Sequence, residues 1–438
     1  MGVRNVLARL AGSAAVPVFT VAGAGAREAI AGLRRWPTVE LVDTPAAASI
    51  LLVVGFLPPD LAGPLSAVHD AMPDPRCTVS WPIGADHGSL PVNSSRLHIG
   101  PDDEPVETIT RAYHALLSGA LASEPPIQPD ADPNPWRGVG PYGQGGSGMT
   151  GGTPYGRPMA ELAPDRDGLR LDVLPLSVGP FFPRFPAGLI LEVSMAGDVV
   201  IEGRVADSPF IGSPMSSAAG PFLRALSEPV PVAEIELARA REHLRWASDA
   251  LVTQGLHALA MRMLRLAAAV TPDDATTVRA IARRLRLLRV PQWSGAGVGR
   301  LAPELFTGLG LGPVSRAAGL NEDARTVDPA YVALGFEPIV MRAGDSAARW
   351  DMRLAEAAQS LELARRAGDR RTGQTGVVES PRGYLRPDDA PFQRLQSLVP
   401  TLLAGLEWGD AVTTLVSLDL DPEEAGAVAT PSSRADAA

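Results

Sequence analysis

Apolar positions fall in short unbroken runs over the first third of the chain and at helical spacing over the last half. Residues 16–22 (VPVFTVA) are β-branched and aromatic, and Gly23 to Gly25 then turn into a helical stretch ending near Arg35, so strand, tight turn and helix are expected. Residues 50–55 (ILLVVG) form a continuous apolar run bounded by turn residues, the pattern of a central parallel strand. Residues 60–71 read as its crossover helix despite Pro64. Cys77 to Trp81 predicts a third strand and residues 105–120 a last helix, which completes a small α/β domain.

From Ser123 to Asp167 the composition shifts to Pro and then Gly. Backbone N–H groups of residues 138–156, with Tyr142, Gln144 and Tyr155, could cradle an anion, but no strand-to-helix context surrounds the glycines, and a tether between domains is the expectation. Leu169, Leu171 and Val173 alternate, as do Leu189 to Met195 before Gly197 and Asp198, with Val199 and Ile201 beyond, which predicts a β-hairpin on a small sheet. Residues 232–269 carry Leu237, Leu244, Leu251, Leu259, Met263 and Leu266 at helical intervals after Pro231, so one long core helix is expected. Further helices are expected over 273–289, 346–367 and 391–408, and a frayed tail over 425–438.

The chain has 438 residues, a formal charge of −10 and no lysine. The charge argues against a nucleic-acid or anionic-membrane surface, either of which needs a basic face. Without lysine, a Walker-type phosphate loop, a pyridoxal Schiff base and the kinase strand lysine are excluded. Cys77 is the single cysteine, so the chain forms no internal disulfide, no multi-cysteine zinc site and no iron–sulfur cluster on its own thiolates. No opening segment reads as a secretory signal and no apolar run reaches the ~20 residues of a membrane span.

Residues 41–81 resemble the small iron–sulfur (B) subunit shared by respiratory complex I and membrane-bound [NiFe] hydrogenases, whose pattern runs "ADxLLVtG", a crossover helix, then "MPxPkxV". The second half resembles its partner, the complex I D subunit and the hydrogenase large subunit. Residues 312–325 (GPVSRAAGLNEDAR) are similar to "GPxxRaSGxxxDxR", Gly344 to Ser360 to "GDxxaRxxvRxxExxxS", Glu379 to Gly383 to "EaPRG", and Ser417 to Asp419 to the closing "SlD" strand. The order of four motifs is the specific signal.

The departures matter as much. With Glu28 matched to the acidic residue after the family's first cysteine pair, Ala22 and Gly25 stand at thiolate positions, Gly84 stands at the next, and Asp102 lies near the last. The turn whose histidine faces quinone in complex I reads here as residues 179–188, with Phe181 or Phe182 in its place; phenylalanine has no titratable proton, so proton delivery to a quinone is lost. Phe181, Phe182 and Phe185 could line an apolar slot for a quinone ring or be core wedges. Asp86 and His87, two ligands at most, do not fix a metal. Arg349, Arg353 and Glu356 share one helix face and could pair with each other or with Asp345; Glu379 and Arg382 could clamp a turn; His243, between Glu242 and Arg245, reads as solvated or capped.

What the resemblance implies is a flavodoxin-like α/β domain (1–122), a linker (123–167) and an α+β, mostly helical domain with a small antiparallel sheet (168–424). The expected function is that of a B/D fusion subunit of an NADH-quinone oxidoreductase-like or hydrogenase-like complex, acting without cofactor as scaffold or regulator. Its family handles quinone and NAD, and whether the chain itself is an enzyme stays open. The alternative is a quinone-binding oxidoreductase subunit fed by a cluster on another chain, with Phe181, Phe182, Arg349, Arg353, Glu356, Glu379 and Arg382 as cleft candidates; a free-standing enzyme of other chemistry is a third reading. No metal or catalytic residue of its own is expected. Partners are other subunits of such a complex and, on the alternative reading, a quinone, without nucleic acid or direct membrane insertion. The expected location is cytoplasmic, peripheral to the membrane through those subunits.

Overall fold

The computed structural model describes residues 14–83, 97–129, 160–211 and 220–429. In the first half, β1 (Val16–Ala22), β2 (Val39–Leu41), β3 (Ile50–Val54), β4 (Cys77–Trp81) and β5 (Leu97–His98) form a parallel sheet in the order β2-β1-β3-β4-β5. Ile50 pairs with Val18 on one side and Cys77 on the other, which puts β3 at the centre. All five β3 residues are buried because both faces are covered, and the unbroken apolar run follows from that.

Helices α1 (Arg27–Leu33) and α3 (Pro105–Ser118) cover one face, where Ile30, Leu33, Ile109 and Leu116 pack on Val18, Leu52 and Val79. Helix α2 (Ala62–Asp70) covers the other with Leu65, and there Phe181 and Phe210 from the second half join Phe19, Val21, Leu51 and Val53. One apolar layer is therefore built from both halves.

The second half has an antiparallel sheet of β6 (Leu162–Pro164), β7 (Arg170–Val178), β8 (Leu191–Ala196) and β9 (Val199–Val205). The expected hairpin is β8–β9, turning at Gly197. The expected single helix over 232–269 is two, α4 (Val232–Thr253) and α5 (His257–Ala269). Gly255, at φ 73°, reverses the chain between them, and both helices present apolar faces to one core, so the spacing continues across the break. After them come α6 (Ala275–Leu287), α7 (Val290–Gly295) and the central α8 (Ser346–Arg366), where Trp350 meets Trp246 of α4 edge to face at 4.9 Å.

Three more expectations need correction. Residues 391–408 make two short helices, Pro391–Gln396 and Val399–Leu403, with Pro400 placed in the second one's first turn. Ser417 and Leu418 end helix α9 (Trp408–Leu418), and Asp419 caps it at φ 56°, so no strand forms there. Residues 422–429 are helix α10 (Pro422–Ala429), started by the Asp421 carboxylate, which accepts the N–H groups of Glu423 and Glu424. At the ends of the expected linker, Glu124 is buried and accepts the Thr78 N–H at 3.0 Å, and Leu162–Pro164 is a strand.

Strands β10 (Val378–Ser380) and β11 (Gly383–Leu385) form a hairpin that brings two of the quoted motifs together. A Cβ on Gly383, at φ 138°, would lie 2.3 Å from the Gly310 carbonyl oxygen, and one on Gly312 would lie 2.7 Å from the Gly383 nitrogen, so this backbone crossing requires glycine.

Candidate functional site: a buried ion-pair network beside an interdomain cleft

Five charged residues of the D-like motifs, Arg316, Asp323, Arg325, Glu356 and Glu379, converge at the β10–β11 hairpin. Arg316, with no solvent exposure, places Nη1 2.8 Å from Glu379 Oε1 and 2.9 Å from Asp323 Oδ2, and its Nε donates to Glu356 Oε1 at 2.7 Å. Arg325 bonds Asp323 at 2.7 Å and reaches Glu236 on α4 at 3.3 Å, and Tyr331 donates its hydroxyl to Glu236 at 2.6 Å. Burial works to raise the Glu356 carboxyl, but Arg316 and then His243 outweigh it and hold it well below the ordinary range. Burial, reinforced by Asp323, pushes Glu379 up to about 7 against the pull of Arg316. The charges explain the split: four carboxyls, Asp323, Glu236, Glu356 and Glu379, share three cations, Arg239, Arg316 and Arg325.

His243 is fully buried on α4, with Nε2 3.3 Å from Glu356 Oε2, and so is not the solvated residue expected. Its burial lowers its pKa, which Glu356 only partly offsets. Arg349, Arg353 and Glu356 share the α8 face but do not pair with one another: Arg349 donates to the Gly344 and Gly299 carbonyls and the Ser417 hydroxyl, Arg353 to Asp419 and the Leu418 carbonyl, and Glu356 accepts from Arg316. Asp345 instead caps α8 through the Ala348 N–H. Burial draws Arg349 down to about 9, and Asp345 offsets it only in part.

A second cluster joins the halves. Arg382 meets Asp421 at 2.9 Å, Asp419 at 3.4 Å and Glu242 at 3.5 Å; Glu242 in turn accepts from Arg27 of α1 at 2.8 Å. Burial favours a neutral Glu242, but Arg27, Arg382 and Arg245 together bring it down to about 2. Glu423 accepts the Gly25 N–H at 3.1 Å. Burial and Asp421 raise Glu423 to about 7; burial, opposed by Arg382, raises Glu424 equally.

Beside this cluster lies a cleft of about 380 Å³ between the halves. Ala22, Arg27 and Ile30 line one wall, Phe181, Phe182 and Arg382 the other. Of the seven residues singled out as cleft candidates, these last three face it, while Arg349, Arg353, Glu356 and Glu379 do not and lie in the packed interior.

An iron–sulfur cluster does not fit these residues. Ala22 and Gly25 end β1 and open the turn to α1 without a thiolate, Asp102 is exposed after β5, and Gly84, Asp86 and His87 lie outside the described residues, as do Tyr142, Gln144 and Tyr155. Cys77 is buried on β4, where burial and Glu124 push its thiol up to about 12, so it stays protonated. Among the described residues no group of three or more His, Cys, Asp or Glu side chains could hold a metal ion.

The residues missed by sequence reasoning are the partners. Arg316, Asp323 and Arg325 stand inside a quoted motif, and that was their signal. Glu236, Glu242, Glu423 and Glu424 carried none, because acidic residues on a helix or near the end of the chain read as solvated.

Residues 275–413 match the family model of the respiratory-chain NADH dehydrogenase, 49 kDa subunit. The D subunit of the NADH-quinone oxidoreductase of Desulfotalea psychrophila is 37% identical over 85 residues, 19% of this chain and 23% of that protein. The D 1 subunit of the enzyme of the same name from Chloroherpeton thalassium is 35% identical over 97 residues, 22% of this chain and 20% of that protein. The matched stretches thus span about a fifth of the length of these curated relatives. A chain of the membrane-bound sulfane sulfur reductase, an archaeal respiratory membrane complex, superposes with a TM-score of 0.43 at 18% identity, over 58% of this chain and 98% of that one. Residues 275–413 are thus similar to the complex I 49 kDa (D-type) subunit.

Proposed function

We propose that this chain is a subunit of a complex I-like or hydrogenase-like respiratory assembly, in which a B-type domain (1–122) and a D-type domain (168–424) are joined in one polypeptide through 123–167 and serve as a cofactor-free scaffold or regulator. The strand order β2-β1-β3-β4-β5, that of flavodoxin-like sheets, supports the B-like assignment. The family match over residues 275–413 supports the D-like one.

One observation carries the reading: the charged residues that resemble the family's motifs bind each other. Arg316 is enclosed by Asp323, Glu356 and Glu379, and Arg382 by Asp419 and Asp421, all within 3.4 Å. The Arg316 network, so closed, holds packing in place and presents no charged group to the cleft, which of these two arginines only Arg382 lines. Affinity purification of the tagged full chain from its own cells tests the role: other redox subunits should co-purify in fixed ratio, and recovery of the chain alone contradicts it.

The cleft favours a second reading. Phe181, Phe182 and Trp246 are among its lining residues, and about 380 Å³ accommodates a quinone head group. Trp fluorescence titrated with a short-chain quinone tests it: saturable quenching lost in Phe182→Ala supports the quinone site, and a linear response removes it.

A further inference from the structure

Between Ala275 and Pro303 the chain carries six arginines and no acidic residue, a local reversal of the net charge of −10. Helix α6 turns Val278 and Leu285 inward. Leu287 comes nine residues after Val278, about two and a half turns, and so points away from the core. It is 72% exposed; Leu288 is 50% and Trp293, on α7, 68% exposed. Arg279 and Arg286 are held by Glu362 and Asp351, whereas Arg283, Arg284 and Arg289 are exposed and make no ion pair among the described residues.

We propose that the α6–α7 corner is a contact site for an anionic lipid bilayer, with Leu287, Leu288 and Trp293 entering the headgroup layer and Arg283, Arg284 and Arg289 meeting lipid phosphates. Arginine forks match phosphate oxygens, and tryptophan with leucine favours the boundary between headgroups and acyl chains. The three apolar side chains protrude and line neither the interdomain cleft nor the small cavity beside Arg325, so a rigid partner would need a matching hole for each, whereas a fluid bilayer adapts to them. Among the described residues no helix is long and apolar enough to cross a membrane, so the contact proposed is interfacial. Net charge over the whole chain conceals such a patch, which is why sequence reasoning placed membrane contact only on partner subunits. The inference rests on this corner alone and is independent of the proposed function.

Vesicle flotation of the full chain tests it. The chain should float with phosphatidylcholine vesicles containing phosphatidylglycerol at about 0.1 M salt and not with phosphatidylcholine alone. The Arg283→Gln, Arg284→Gln, Arg289→Gln triple variant should lose about hundredfold in partitioning, about fivefold per charge. Leu287→Ser with Leu288→Ser should lose about tenfold or more. All five positions are exposed, and circular dichroism checks that each variant is folded. Absence of flotation on anionic vesicles overturns the proposal and gives the corner to an acidic protein; undiminished flotation of the folded leucine variant overturns it too.

Discussion

Glu423, in the first turn of α10, accepts the backbone N–H of Gly25 at 3.1 Å, although 398 positions separate them in the chain. The C-terminal helix therefore closes over the end of β1, where the resemblance to the B subunit places a vacated thiolate. With Arg27 bound to Glu242, it forms the polar edge of an interface whose apolar part is Phe181 and Phe210 against the first sheet.

Stability should fall as pH rises through neutrality. Glu379, Glu423 and Glu424 titrate near 7 in the folded chain, above the ordinary 4.5, so the folded state binds more protons in between. Their contribution is complete below about pH 4.5 and lost as pH climbs through about 7. For fully buried Glu379 a rise of this size is worth on the order of 3 kcal/mol. Glu242 and Glu356 act oppositely and withdraw their support in acid, so the optimum is mildly acidic. Urea midpoints should drop between about pH 5.5 and 8, and Glu379→Gln should flatten that slope; equal midpoints and an unchanged slope would refute this.

Arg316→Met leaves Asp323, Glu356 and Glu379 facing one another without their shared cation. Breaking a buried pair from one side costs about 3–5 kcal/mol, and the same loss is expected in equilibrium unfolding. Adding Glu356→Gln should restore part of it. A cost under about 1 kcal/mol would show that the network does not hold the fold.

At the interface, apolar packing should outweigh the visible ion pairs. Phe210 is fully buried, and Phe210→Ala should cost about 3 kcal/mol and speed amide exchange in β1 and β3. Arg34 and Asp249 lie 2.6 Å apart, but Asp249 is half-exposed, and Asp249→Asn should cost less than about 1 kcal/mol. Equal costs would overturn this ranking.

The sheet of the first half was legible where burial is two-sided: Ile50–Val54 reads as an unbroken run because nothing polar fits either face. Val39–Leu41 and Leu97–His98 were not, since two or three residues at a sheet edge carry no period. The α4–α5 break was hidden because helices folded back on one core keep a common apolar spacing. Motif residues such as Arg353 and Glu379 stood out by type and order. The pairing of Arg325 with Glu236 and of Arg382 with Glu242 depends on which helices meet, and that is decided by packing across long stretches of chain.

The most direct test of a cofactor-free chain is the iron and acid-labile sulfide content of the anaerobically purified protein, read with its visible absorption. The account predicts colourless protein without stoichiometric iron. A coloured preparation holding iron and sulfide in fixed ratio to the chain would contradict it.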